Sequence, residues 1–385
     1  MAAIDVKTPG FLEDETLVLF RHSVARFLNA HAGPAATAAW REDGMVPREL
    51  WRAAGAAGLL GASIPEAYGG SGGDFRFDAV VMEELGLHNA LNFALPLHSA
   101  VVAPYFVRYG TEAQKQHYLP AACSGDRVLA IAMTEPGAGS DLQGMRTTAV
   151  RDGDHYVLDG QKTFISNGIH ADTVIVAAKT DAAAGSRGIS LFIVDADSTG
   201  FARGSLLEKL GQAGRDTTEL FFSDLRVPAS NLLGAEGHGF YMLMENLPQE
   251  RLVIAWQAMA MMEAALGLTI AYVRDRQLFK RSLIDFQNTQ FKLAQCKTDA
   301  TVAKVFLHYC MQRLLDGDLD AATASMAKLS ITETQARVID ECLQLHGGNG
   351  YMAEYPISQM YRDARGYRIY GGTSEIMKLL IARSL

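Results

Sequence analysis

Between residues 14 and 122, apolar side chains recur at helical spacing: Leu17, Phe20, Val24, Phe27 and Leu28 share one face, and Phe77 to Leu87 and Leu91 to Tyr109 repeat the pattern. The spacing predicts a helical first third. From Arg127 the texture changes to short β-branched runs divided by turns: VLAIAMT, TTAV, HYVLDG, TVIVAAK, ISLFIV and ELFFSDLRV. Arg151-Asp152-Gly153-Asp154 reads as a hairpin turn, with Asp-Gly supplying the positive φ that such turns need. After Gly234 the helical period returns over about 237–275, 286–315 and 319–345, followed by two shorter pieces. Loops as brief as Leu315-Asp316-Gly317-Asp318 predict that these long helices pack antiparallel. The predicted fold is mainly α with a central β domain: an N-terminal helical domain over 1–125, a small β-barrel or sandwich over 126–233, and a C-terminal four-helix bundle over 234–385.

The chain has 385 residues, 49% hydrophobic and 20% charged, which suits two or three compact domains and excludes a disordered chain. A net charge of −8, with no block of basic residues, argues against nucleic acid as a partner. Cys123, Cys296, Cys310 and Cys342 lie far apart with neither a C-x-x-C pair nor zinc-ligand spacing, so buried free thiols in a reducing compartment and no metal site are expected. The first residues carry acids and lack an apolar stretch behind a basic one, so no targeting signal is read and the expected location is cytoplasmic. No run reaches ~18 consecutive apolar residues, and no membrane span is expected.

The densest candidate chemistry is Thr134-Glu135-Pro136-Gly137-Ala138-Gly139-Ser140-Asp141-Leu142, where a strand runs out into a glycine-rich loop. Gly137 and Gly139 admit close approach to backbone N–H groups, and Thr134 and Ser140 add hydroxyl donors. A dinucleotide fingerprint does not fit, because Leu142 stands at its third glycine and a hairpin follows where a helix should begin. In Gly160-Gln161-Lys162-Thr163-Phe164-Ile165-Ser166-Asn167-Gly168, strand alternation puts Phe164 and Ser166 on one face, suited to cover a planar heterocycle. A core Phe beside a surface Ser has the same pattern. Gln344-Leu345-His346-Gly347-Gly348-Asn349-Gly350-Tyr351 ends a long helix with more glycine than a C-cap requires. Tyr370-Gly371-Gly372-Thr373-Ser374-Glu375 opens the last helix with Thr373 as N-cap, a start that also attracts phosphate.

In order and spacing, T-E-P-G-A-G-S-D, K-T-F-I-S-N-G, Q-L-H-G-G-N-G-Y, Y-R-D-A-R and Y-G-G-T-S-E-I resemble the acyl-CoA dehydrogenase flavoprotein family along essentially the whole chain. The resemblance implies FAD at the junction of the three domains, an acyl-CoA substrate, an electron-transfer flavoprotein as acceptor and usually a homotetramer. It implies that Thr134 and Ser166 hydrogen-bond the flavin, that Phe164 lies against it, and that Ser140 sits near the pyrophosphate and the acyl-CoA. Thr373 and Glu375 would contact the cofactor of the same chain. The helix residues Arg276, Phe279 and Gln287, with Gln344, Gly347 and Gly348, would reach the FAD held by a dimer partner. Of the cluster Arg274, Arg276, Lys280 and Arg281, one Arg would face the FAD phosphates, and Arg251 and Gly372 would lie on the substrate side.

One departure bears on mechanism. Many members carry the catalytic glutamate immediately after the tyrosine matching Tyr370, where this chain has Gly371. Long-chain and isovaleryl-CoA dehydrogenases instead place it on the long helix after the β domain, and here that helix reads Leu247-Pro248-Gln249-Glu250-Arg251-Leu252. Glu250 is therefore the expected base, with a raised pKa once substrate excludes water, and the Gly371 N–H is the expected donor to the thioester oxygen. Pro248 is expected to kink the helix. A second departure is Gln359, where members usually carry Lys or Arg; a lost ion pair is expected. The implied reaction is oxidation of an acyl-CoA, long or branched, to the trans-2-enoyl-CoA. Competing readings are a flavin oxidase or monooxygenase on the same scaffold, a dehydrogenase acting on a carrier-protein thioester, and a non-catalytic paralogue.

Overall fold

The structure, a computed structural model, describes residues 3–385. Its N-terminal part consists of α1 (Glu15–His31), α2 (Pro34–Asp43), α3 (Arg48–Ala56), α4 (Phe75–Leu87), α5 (Ala103–Tyr109) and α6 (Glu112–Ser124). Local chemistry starts these helices: Asp14 accepts from the Thr16 N–H at α1, Asp74 from the Arg76 N–H at α4, and Thr111 closes a capping box with Gln114 at α6. The stretch from Leu91 to Tyr109, which the spacing joins into one helix, is divided. Leu97–Val102 is π-helical and α5 follows it. A π turn holds an extra residue, so an apolar period read at 3.6 residues passes over it unseen.

The middle part is a sheet of β1 (Leu129–Ala132), β2 (Thr148–Asp152), β3 (His155–Ser166), β4 (Thr173–Lys179), β5 (Ile189–Asp195), β6 (Phe201–Arg203), β7 (Thr217–Pro228) and β8 (Leu232–Leu233). The strands lie in the order β6-β7-β3-β2-β4-β5-β8, with β1 parallel to β4. The predicted hairpin forms from Thr148↔Asp159 to Asp152↔His155, and Gly153, at φ 62, takes the first central place in its turn. β4 and β5 read as unbroken apolar runs because both their faces are buried. Val174, Val176, Phe192 and Val194 join the core of the β domain, while Ile175, Ala177, Leu191 and Ile193 belong to the helical core. Those two strands are thus the seam between sheet and helices.

The C-terminal part comprises α7 (Gly239–Asp275), α8 (Gln287–Leu315), α9 (Ala321–His346), α10 (Pro356–Tyr367) and α11 (Ser374–Ala382). A small hairpin of β9 (Gln277–Leu278) and β10 (Arg281–Ser282) joins α7 to α8. By length and hydropathy α7 is apolar enough to cross a membrane, yet 78% of its apolar window is buried inside the fold. Its neighbours are α4, α8 and α9. Encasement on several sides explains why α7 is apolar around most of its circumference.

Candidate active site

Glu250 lies inside α7, which runs on through Pro248, and is only 7% exposed. The hydroxyl of Tyr105, a fully buried residue of α5, donates to its Oε1 at 2.7 Å. Burial pushes the Glu250 carboxyl up to about 7, while the Tyr105 hydrogen bond and the Arg251 and Arg108 charges pull the other way. A carboxylate so placed exchanges protons near neutral pH.

One turn further along α7, Ile254 meets the turn between α10 and α11. Gly371 and Gly372 have φ 66 and 94, and a Cβ built on Gly371 would stand 2.2 Å from Ile254 Cδ1. A side chain at 371 is thus opposed by the left-handed backbone, while in space it meets only the movable end of the Ile254 side chain. α9 grips this turn: Lys328 donates to the Gly372 carbonyl, and the Ser374 hydroxyl donates to Glu333 Oε1 at 2.6 Å. Thr373 caps α11 by accepting from the Ile376 N–H at 3.3 Å, as its sequence position predicts. Among the described residues nothing accepts from the Gly371 N–H.

Arg251 is 4% exposed and donates from Nη1 to Ser325 Oγ at 3.3 Å, so its guanidinium is turned into the α7–α9 interface. Lys328 is fully buried beside it, and burial, reinforced by the Arg251 charge, lowers its ammonium to about 8.

On the sheet side, the loop after β1 is stapled from within. Glu135 accepts from the Arg146 and Thr147 N–H groups at 2.6 and 3.0 Å and from Lys162 Nζ at 2.8 Å, and Lys162 is wholly buried. The Thr163 N–H donates to the Thr134 carbonyl at 2.9 Å, which ties the loop to β3. Two residues within the quoted motifs therefore serve the scaffold. The β3–β7 register shifts between Lys162 and Ile165, and Phe164 has φ 60 with 69% exposure. Its ring reaches solvent because the strand bulges, a correction to the simple alternation expected there. Ser166 is half-buried and Ser140 exposed.

Of the three residues that the resemblance placed on helices, Arg276 and Phe279 lie outside one and Gln287 lies at the very start of one. Arg276 caps α7, Phe279 stands at the tip of the β9–β10 hairpin, and Gln287 is the first residue of α8. Phe279 and Lys280 occupy the turn at φ 49 and 66, and Phe279 is 83% exposed. Arg281 is engaged within the hairpin, over the Phe286 ring at 4.9 Å and donating to the Asp285 carbonyl at 2.8 Å. Gln344 is exposed at the end of α9, and the following turn is held by Asn349 donating to the Tyr272 hydroxyl at 3.0 Å. Glu375 is exposed in the first turn of α11.

At Gln359 hydrogen bonds of a neutral side chain stand where a cation would form an ion pair. Gln359 is buried, donating to Asp363 Oδ1 at 2.8 Å and accepting from Arg362 at 2.7 Å, so it mediates the contact a cation would make directly.

Sequence reading missed Tyr105, Lys328, Glu333 and the Glu135–Lys162 staple. The signal for Tyr105 was present: Tyr105, Arg108 and Tyr109 form a polar stripe at i, i+3 and i+4 in an otherwise apolar run.

A desolvated carboxylate on a helix that also meets a turn with an open backbone N–H is the equipment of an enzyme that removes a proton adjacent to a carbonyl. Comparison with known proteins supplies the family. Residues 14–126, 130–225 and 237–385 match the N-terminal, middle and C-terminal domains of acyl-CoA dehydrogenase. The chain is 48% identical to the long-chain specific acyl-CoA dehydrogenase of Sus scrofa over 369 residues, covering 95% of this chain and 86% of that protein. It is 39% identical to the isovaleryl-CoA dehydrogenase of Pongo abelii over 385 residues, covering 99% and 90%. The crystal structure of an acyl-CoA dehydrogenase from Geobacillus kaustophilus superposes with a TM-score of 0.95 at 46% identity, covering 98% and 99%. The chain belongs to the acyl-CoA dehydrogenase family and is an oxidoreductase that dehydrogenates acyl-CoA.

That family is FAD-dependent, and the residues present fit such a cofactor. A Cβ added at Gly137, Gly139 or Gly348 would meet nothing within 4 Å, whereas Gly347 owes its glycine to a backbone φ of 58. The packing of this chain does not require glycine at the first three places. Phe164 and Phe279 present rings outward from left-handed backbone, which internal packing does not explain either.

Proposed function

We propose that this enzyme oxidises a long or branched acyl-CoA to the trans-2-enoyl-CoA, with Glu250 as the base. The carrying observation is that the buried Glu250 carboxylate and the Gly371 turn meet the same stretch of α7, and that the left-handed backbone at 371 favours glycine there. Glu250 takes the proton from the α-carbon; its electron pair forms the new double bond as the β-hydrogen leaves with its own pair. Bound FAD supplies the two-electron acceptor for that hydride. The Gly371 N–H donates to the thioester oxygen, which gains negative charge as the proton departs. α9 fixes the aim of that N–H through the Lys328 and Glu333 contacts.

Thr134, Ser140, Phe164, Ser166, Thr373 and Glu375 would hold the cofactor of their own chain, and Arg276, Phe279, Gln287, Gln344, Gly347 and Gly348 that of a second copy. In support, the second set is exposed and its hairpin projects Phe279 away from its own core. A homo-oligomer is also supported by a largely apolar groove of about 510 Å³ lined by Val302, Phe306, Met326 and Leu329. An electron-transfer flavoprotein is the proposed acceptor. The identity to long-chain and isovaleryl-CoA dehydrogenases supports the substrate class.

The test is anaerobic mixing of the FAD-loaded enzyme with a panel of acyl-CoA thioesters. Loss of visible flavin absorbance with long or branched chains is expected, and Glu250→Gln should bind the same thioesters without bleaching. Full turnover in that variant overturns the base assignment; rapid peroxide formation in air identifies an oxidase.

A further inference from the structure

A row of side-chain hydrogen bonds joins α5 to α7. Tyr105 donates to Glu250 at 2.7 Å, Arg108 to Asn246 Oδ1 at 2.6 Å and Gln249 Oε1 at 2.8 Å, and Tyr109 to Glu245 Oε2 at 2.6 Å. Positions i, i+3 and i+4 of one helix thus match consecutive turns of the other. The Glu250 partner is the innermost of these contacts, with both residues buried.

What points this stripe at α7 is the π-helical segment Leu97–Val102 immediately before α5. One extra residue in a turn rotates everything after it by about 100° relative to an uninterrupted α-helix. The segment is locked in place. His98 Nδ1 accepts from the Leu129 N–H of β1 at 3.0 Å, and Nε2 donates to the Ala122 carbonyl of α6 at 3.1 Å. Burial pushes this imidazole down to about 4, so it stays neutral, as those two roles demand. Gln249, next to Glu250, donates to the Ala100 carbonyl inside the π turn at 3.0 Å. The irregular turn is therefore joined to β1, to α6 and to the helix bearing the carboxylate.

We propose that Tyr105, aimed by the π-helical turn, is a positioning residue that holds the Glu250 carboxylate in place and keeps it ionised at neutral pH. The proposal rests on Glu250 being the base. An apolar site favours the protonated acid, which cannot accept the substrate's α-proton; a phenol donating to the carboxylate favours the charged form and offsets this. The other charges facing Glu250 are Arg108 of α5 and Arg251 of α7, with Lys328 of α9 behind Arg251. Neither arginine hydrogen-bonds the carboxylate, so the directed contact is the tyrosine's.

Tyr105→Phe removes the donor and little volume. The acidic limb of the pH profile of kcat/KM is expected to move up by roughly one unit, the loss of one hydrogen bond to a charged group. Turnover then falls about fivefold at pH 7 and returns to within about twofold at pH 9, as the ionised fraction requires. Replacing Tyr105 by 3,5-difluorotyrosine, of nearly the same shape and a stronger donor, should move the limb down. Infrared titration of the Glu250 carboxylic acid band, assigned by its absence in Glu250→Gln, reads the same shifts in resting enzyme without turnover. An unmoved band, or a uniform loss of activity at every pH, overturns the proposal. The Glu250→Gln bleaching experiment separately decides whether Glu250 is the base, so the two failures are distinguishable.

Discussion

Around Glu250, the carboxylate, the Tyr105 hydroxyl, Lys328 and Arg251 are all withdrawn from solvent and bonded within the chain. Across the loops proposed to hold the cofactor, Ser140, Phe164, Phe279, Gln344 and Glu375 stand exposed, and glycines there adjoin empty space. The difference follows from what each side must do. A base gains its reactivity by being desolvated and fixed before substrate arrives, and the fold meets that cost in advance. A surface that receives a large ligand stays open because the ligand itself completes the packing.

The largest effect should come from moving the base. Glu250→Gln is expected to lower the rate of anaerobic flavin reduction about 10³-fold, in the range for loss of a general base. Adding Gly371→Glu should restore little, because the backbone there is left-handed and the Ile254 side chain must turn aside for the new Cβ. With Ile254→Ala added as well, recovery on the order of tenfold is expected, the remaining deficit reflecting backbone strain. Full recovery without the Ile254 change would show that the two ends of the site are not exclusive homes for the carboxylate.

Next in size is the staple beneath the open loop. Lys162→Met leaves Glu135 buried and without its cation, and a loss of about 3 kcal/mol in stability is expected. Lys162→Met with Glu135→Gln should recover part of it, since Gln removes the unpaired charge and its single oxygen still accepts from one of the Arg146 and Thr147 N–H groups, while its amide nitrogen faces the other. Denaturant unfolding of the two variants measures the contrast. Equal losses in both would mean that the loop owes its shape to something other than this pair.

How far the sequence discloses these features depends on whether they are local. The hairpin at Gly153, the cap at Thr373 and the boundaries of α7, α8 and α9 follow from turn chemistry and period, and the structure has them close to where the spacing predicts. Glu250 was legible only through resemblance, because nothing local separates it from the other acids of α7. The π turn was not legible, since Leu91 to Tyr109 satisfies a helical period well enough to hide one inserted residue. Tyr105, Lys328 and Ile254 acquire their meaning from partners 44 to 145 positions away. Phe164 and Phe279 owe their exposure to left-handed backbone that no residue type announces.

Phe279 gives a test in which the two sides respond with opposite signs. Phe279→Gly relieves a left-handed backbone and should raise the stability of the apo chain by about 0.5–1 kcal/mol. The same change removes an aromatic ring from the face assigned to a partner's cofactor, and retention of FAD on dilution should weaken about tenfold. Thermal unfolding and flavin fluorescence read the two effects. A destabilised apo chain would place Phe279 in its own fold after all.

The last effect concerns stability and returns to Glu250. Its carboxyl is raised from 4.5 to about 7 by burial, so the folded state binds this proton more tightly than the unfolded state does. The sign follows directly: the contribution is fully present below pH 4.5 and is lost as pH rises through 7. Gln at 250 does not titrate, so Glu250→Gln should gain stability over the native chain as pH rises across that window, by at most roughly 3 kcal/mol, and level off above it. All other titrating groups are common to both chains and cancel in the difference. Urea unfolding of the two proteins at pH 5 and pH 8 measures it. A difference that is the same at both pH values would show a solvated carboxylate, and the contrast between a desolvated base and an open cofactor face would fail at its centre.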